Sequence, residues 1–358
     1  MFLALKEIKH SKFRYALITI MIMMISYLVF ILMGMMLGLA NENKAAINSW
    51  GTQTVFLNKN ANGSLSAAMI TKDQLPTNGL SDHEALVGQA PVVITRAGKH
   101  QQLKENAQVI GLDRQQFIAK HKIKLTAGHQ AKGAHQIVVD EGLRTKGYRI
   151  GDQVRLNFSQ QKYEIVGFAK NAKLNVAPVI YTTLANWQQL KGVNDQVVAS
   201  GIVADRVEPA KHFNQLSRYS VTSFIQKLPG YTAQNNTFTF MIAFLMVISL
   251  VIIAVFLYIL TMQKISNYAV LRAQGIPARH LVNATLAQAV VLMLVGVIGG
   301  VIFTWITQLL LPPAVPMLMN WPIIAGISLI LVVLGMLGAL LPVRMILKID
   351  PVRALNNC

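Results

Sequence analysis

The sequence predicts an α-helical integral membrane protein with four transmembrane helices and a large α+β extracytoplasmic domain inserted between helices 1 and 2. Three observations predict it. The 358 residues are 53% hydrophobic and only 13% charged, with a mean hydropathy of +0.44, whereas soluble domains carry about 25% charge. The apolar excess is confined to uncharged runs at Tyr15 to Asn41, Leu228 to Gln263 and Leu281 to Val343. The segment between the first two runs has ordinary polarity and enough length for a core of its own.

A helix needs about 20 apolar residues to cross the ~30 Å hydrocarbon core. Residues 1–14 are a basic cytoplasmic segment with Lys6, Lys9, Lys12 and Arg14, and residues 15–40 are the first span. That apolar run is longer than the 7–15 residues of a signal peptide, and the small-residue cleavage pattern around Gly38-Leu39-Ala40 is poor. Residues 237–262 form the second span. The third run holds two spans, 281–310 and 321–342, because Pro312, Pro313, Pro316 and Pro322 break it at an outer loop over 311–320, with Trp321 suited to the interface.

Orientation follows from the cations beside the spans. Lys264, Arg272 and Arg279 lie in the 263–280 connector, and Arg344, Lys348 and Arg353 in the 343–358 tail, while the 311–320 loop is uncharged. Both termini are therefore expected in the cytoplasm, in a plasma membrane, and residues 41–236 outside. That outer segment keeps 23 of the 33 Lys and Arg and 13 of the 15 Asp and Glu. Its net charge near +10 suits anionic partners such as lipid headgroups, but no dense basic run or aromatic motif points to nucleic acid.

Within it, β-type stretches occur at Thr54 to Leu57, Val92 to Thr95, Val109 to Leu112, Ile137 to Val139 and Val197 to Val203. Val154 to Phe158 and Tyr163 to Phe168 alternate around Ser159-Gln160-Gln161 and read as a hairpin. Helices are expected at Asp113 to Lys120, Thr183 to Leu190 and Glu208 to Tyr219. The one cysteine, Cys358, excludes a disulfide in this domain.

Gly34 with Gly38 and Gly296 with Gly300 have the small-residue spacing that brings transmembrane helices together. In the connector, Tyr268, Leu271 and Arg272 recur at helical spacing, Gly275 can end that helix and Pro277 can begin the next. Phosphate-loop, H-E-x-x-H, C-x-x-C and G-x-S-x-G motifs are missing. The eight histidines lack metal-ligand spacing, so neither an intrinsic cofactor nor a metal site is expected, and the spans hold no acidic or basic residue for ion coupling. The energy for any transport should come from another chain.

Lys264 through Arg279, with Leu271-Arg272-Ala273-Gln274-Gly275, resembles the coupling segment of FtsX-like (MacB-type) ABC permeases. Ala4 to Arg14 resembles the amphipathic N-terminal helix of that family, and Pro342-Val343-Arg344 to Asp350-Pro351-Val352-Arg353-Ala354-Leu355 its closing motif. The resemblance implies a homodimeric, non-enzymatic permease in membrane lipid, served by two copies of a cytoplasmic ATPase that uses the ATP. It assigns Leu271, Arg272, Gly275 and Pro277 to ATPase coupling. Ser26 to Phe30, Gly38 to Ala40, Pro229 to Gln234 and Leu257 to Lys264 are similar to haem-efflux permeases of the family from Gram-positive bacteria. That similarity implies haem as the transported substrate, with Met35, Met36, Glu42 and Tyr231 as candidate haem contacts because thioether, carboxylate and phenolate can approach haem iron. The same architecture also serves export of antimicrobial peptides, macrolides or lipids, and mechanical signalling to cell-wall enzymes.

Overall fold

A computed structural model describes residues 12–77, 79–96, 104–157, 160–209, 213, 215–312 and 315–347. The chain divides into two compact units, residues 1–38 with 236–358, and residues 39–235. The N-terminal residues 1–11 and the tail beyond Leu347, with Cys358 and most of the closing motif, lie outside the described residues.

The helical unit contains four helices long and apolar enough to cross a membrane, the fold class the sequence predicts. The first, α1, runs from Lys12 to Ser49, continuing past the apolar run through Glu42 and Lys44 because nothing there breaks a helix. At 1.5 Å per residue it is about 57 Å long.

The inserted unit holds strands β1 (Thr54–Asn58), β2 (Ile70–Thr71), β3 (Glu84–Arg96), β4 (Lys104–Leu112), β5 (Leu125–Gly128) and β6 (Gln136–Asp140). After the short α2 (Gly142–Thr145) come β7 (Gln153–Leu156), β8 (Lys162–Ala169), β9 (Lys173–Leu174) and β10 (Ala177–Thr183). It is completed by α3 (Leu184–Lys191), β11 (Val197–Ala199), β12 (Gly201–Ala204), β13 (Leu216–Ser220) and α4 (Val221–Gln226). The chain then returns to the helical unit through α5 (Tyr231–Met262), α6 (Ile265–Ala273), α7 (Ala278–Leu310), α8 (Trp321–Gly338) and α9 (Leu340–Leu347).

The main sheet is mixed, in the order β13-β1-β12-β3-β4-β10-β6-β8-β5, with β7 bridging β3 and β8. β4 and β10 are parallel, pairing Val109 with Ile180 and Leu112 with Thr183. Trp187 on α3 is fully buried against the sheet, over Gly88 and Gly111. A Cβ at these glycines would come within 2.2 and 2.6 Å of the Trp187 side chain, so only glycine admits the indole there. α3 itself is fixed by the Thr183 hydroxyl, which accepts the Asn186 N–H, and by a left-handed Gly192 at its end.

Three readings are corrected. The described part of Glu208 to Tyr219 includes Leu216 to Tyr219 in strand β13, because β1 offers it a ladder from Thr54↔Ser220 to Asn58↔Leu216; long-range pairing overrides local helical preference. Asp113 to Lys120 is a turn followed by a π-helical turn over Ile118–Lys122. The stretch Val197 to Val203 is split at buried Ser200, whose hydroxyl accepts the Gln89 N–H at 2.9 Å. The hairpin does form, with β7 antiparallel to β8.

β9 and β10 are joined by the two-residue turn Asn175-Val176, with φ of 52° and 64°. This left-handed turn favours Gly or Asn at both positions, and a β-branched valine is strained there. The turn grips the end of α1: the Asn175 N–H donates to the Asn43 carbonyl at 3.1 Å, and Lys173 pairs with Glu42.

Candidate functional site

The connector between α5 and α7 is a built element. α6 ends in a Schellman motif: Gly275 takes φ +91°, its N–H donates to the Arg272 carbonyl, and the Ile276 N–H donates to the Leu271 carbonyl at 3.1 Å. Pro277 then caps α7 with extended backbone. Tyr268 and Ala269 are buried with Leu281 of α7 and Ile346 of α9, and Leu271 packs against the same cluster. Asn267, Val270, Ala273 and Gln274 face outward, and Arg272 is half-buried. The short helix is therefore pinned on one side and presents a small, mostly uncharged surface on the other.

Beneath it lies a polar cluster in the helical unit. Tyr15 of α1 is 2% exposed; its hydroxyl accepts from Lys264 Nζ at 2.6 Å and donates to Gln288 Oε1 of α7 at 3.2 Å. Lys264 also sits 5.3 Å from the Tyr15 ring centroid, within cation–π range. The Tyr268 and Thr285 hydroxyls meet at 3.5 Å, and Arg14 donates to Gln263 Oε1 at 2.7 Å. Charge-assisted bonds of this kind are roughly twice as strong as neutral ones. The connector is thus tied to α1 and α7 through Lys264 and Tyr268.

Residues 239–351 match the family model described as FtsX-like permease C-terminal. This stretch is thus similar to the C-terminal domain of FtsX-like permeases. Over 99% of both chains it is 27% identical to a protein of Staphylococcus haemolyticus named as the hemin transport system permease HrtB. Over 60% of each chain it is 26% identical to an uncharacterized ABC transporter permease of Mycobacterium bovis. Among solved structures it is similar to the extracellular domain of the noncanonic ABC-type transporter YknZ, at 14% identity and a TM-score of 0.31, over 46% of this chain and 87% of that one.

Gly296 and Gly300 of α7 lie against α1, where a Cβ would come within 2.5 Å of Ile22 and 2.8 Å of Ser26. Gly34 and Gly38, expected to admit a helix, instead admit the loop before α8. A Cβ at Gly34 would lie 3.0 Å from Met317, and one at Gly38 only 2.3 Å from the Pro316 carbonyl oxygen. The proline-rich loop turns back onto α1, and the Leu318 N–H donates to the Gly34 carbonyl at 3.0 Å.

The residues named for haem fall in both units. In the helical unit Met35 and Met36 are half-buried; Met36 packs beside Phe30 and Ile242, with its sulfur 4.0 Å from the Thr239 hydroxyl. In the inserted unit Glu42 is paired with Lys173, and Tyr231 packs against the domain core. Among the described residues no cluster of three His, Cys, Asp or Glu could hold a metal ion. Reasoning from sequence missed Tyr15 and Gln288; a glutamine inside an uncharged span was the available signal. The outward residues Asn267, Val270 and Gln274 left none, because their exposure depends on which face of α6 packs.

Proposed function

We propose that this chain is the permease subunit of an ABC transporter that moves haem out of the plasma membrane, driven by ATP hydrolysis in two copies of a separate cytoplasmic ATPase bound to a homodimer of the chain. The observation that carries the cargo is correspondence with the hemin transport relative over 99% of both chains. The geometry of the connector supports the ATPase role. Its outward surface of Asn267, Val270 and Gln274 meets the ATPase on the cytoplasmic side, Gly275 and Pro277 hold the turn, and Leu271 and Arg272 fix the helix that receives the push. Lys264 and Tyr15 deliver that push to α1. Haem is bound as cargo, with Met35, Met36, Glu42 and Tyr231 each proposed to contact it.

The test is ATPase activity of the complex with its neighbouring ATPase in lipid nanodiscs, with and without haem. Haem should stimulate the wild type, and Met36→Leu, Glu42→Ala and Tyr231→Phe should each reduce that stimulation while sparing basal turnover. Lys173→Ala breaks the same ion pair as Glu42→Ala, so equal loss in both would assign Glu42 to structure instead of haem. A complex indifferent to haem at every concentration would remove haem as cargo.

A further inference from the structure

The inserted unit contains a cavity of about 290 Å³ where the parallel strands β4 and β10 end. Its floor is Leu112, Val138 and Tyr181 from three neighbouring strands, and its walls are Ala119, Ile123 and Ala131. Crevices beyond the carboxyl ends of parallel strands are recurrent ligand sites. The wall carrying Ala119 is the π-helical turn Ile118–Lys122, a rare conformation that is often found at functional sites.

The rim has a single sign of charge. Arg114 and Lys132 line the cavity, and among the described residues its lining includes no carboxylate. Arg114 is held in place: its guanidinium donates to the Lys132 carbonyl and, at 2.9 Å, to the Gly133 carbonyl. These bonds tie the two sides of the mouth together, and a guanidinium has five N–H donors, so capacity for an anion remains. Tyr181 does not add negative charge to the floor. Its hydroxyl accepts from Trp50 Nε1 at 3.2 Å, and burial pushes its pKa up to about 12.

We propose that this cavity binds a small amphiphilic carboxylate, with a short alkyl chain against Leu112, Val138 and Ala131 and the carboxylate at Arg114 and Lys132. The volume, about ten waters at ~30 Å³ each, suits a single short chain and lies at the small end of ligand pockets. The site is independent of the cargo proposed above and stands whether or not haem is transported.

The experiment titrates octanoate into the full-length protein in nanodiscs by calorimetry, beside octanol, which lacks the charge, and butyrate, which lacks most of the chain. Octanoate should bind saturably at one site per chain, and both analogues about tenfold more weakly or worse, the size expected for losing one charge-assisted contact or most of the apolar one. Ala131→Phe, which fills the slot, and the double change Arg114→Gln with Lys132→Gln should each weaken octanoate by about tenfold or more. Melting temperatures without ligand identify a variant that has not folded. If Ala131→Phe does not fold, the double change at two exposed side chains carries the test. Uptake that never saturates and is equal in all variants would be partitioning into the bilayer and would overturn the site, as would octanoate bound no more weakly by the double variant.

Discussion

The two units bury their side chains by opposite rules. In the inserted unit Phe56, Trp187, Ile94 and Val139 are fully buried, and the outer surface is charged and polar. In the helical unit Phe244 is 67% exposed and Leu310 80% exposed on helices otherwise apolar all round. Water is the solvent for the first, so apolar burial drives its packing at about 25 cal/mol per Å². For the second the exposed residues face a medium as apolar as themselves, and packing must come from close fit. Glycines supply that fit: Gly296 and Gly300 against α1, Gly38 against Pro316, and Gly335 against Met293.

The sharpest test of this difference removes a large side chain from each unit. Trp187→Ala should destabilise the inserted unit by about 3–5 kcal/mol, the usual cost of emptying an aromatic site in a core. Phe244→Ala, a comparable deletion on the lipid-facing surface, should leave stability nearly unchanged. Thermal unfolding in nanodiscs, with limited proteolysis reporting on the inserted unit, measures both; equal losses would break the comparison.

The second test concerns buried charge: among the described residues the fully buried carboxyls, Glu84 and Asp140, both lie in the inserted unit. Asp140 is 2% exposed; burial raises its pKa from 3.8 to about 6, against the lowering effects of the Gly142 N–H, Lys173 and the Ala172 N–H. Between about pH 4 and 6 the folded state binds more protons at this group than the unfolded chain does. Its contribution to stability therefore falls as pH rises through that window, by about 3 kcal/mol at 1.4 kcal/mol per unit. The melting-temperature difference between Asp140→Asn and wild type should shift in favour of the variant as pH goes from 4 to 7. A difference independent of pH would contradict the burial of this carboxyl.

Gly38→Ala tests the fit between α1 and the loop before α8. Its new methyl would lie 2.3 Å from a backbone oxygen, so the loop must shift, at about 1–3 kcal/mol. Gly326→Ala, with open space around it, should be neutral or slightly stabilising through helix propensity. The smallest expected effect is a gain. Val176→Gly relieves a β-branched residue at φ 64°, and should stabilise the inserted unit by about 1 kcal/mol.

The fold was legible to different depths in the two units for the same reason. A span is a one-dimensional signal, and the uncharged runs at residues 15–41, 228–263 and 281–343 fall within or overlap the long helices. The break between α8 and α9 is also local: Pro342 lacks the N–H that would bond the Gly338 carbonyl. Strand β10 leaves no alternating signal, because its buried residues, Val179-Ile180-Tyr181-Thr182, run without alternation, as strands covered on both faces do. The segment of β13 carries a helical pattern locally, because its partner β1 lies more than 150 residues earlier. At the connector, Gly275 and Pro277 announce their turn by residue type alone. The Lys264–Tyr15–Gln288 cluster and the cavity at Arg114 are assembled from distant segments, and nothing local in the chain records their meeting.

The pairing of β1 with β13 sets Thr54 opposite Ser220, with Cα atoms about 4.5–5.5 Å apart as in any antiparallel ladder. The sheet of the inserted unit therefore begins and ends at neighbouring residues. A domain with neighbouring ends behaves as a cassette: it can be acquired, lost or exchanged through two recombination points without rethreading the helices around it. Inserted domains of unrelated length and surface could occupy the same slot, so what this unit recognises can diverge while the helical unit stays the same.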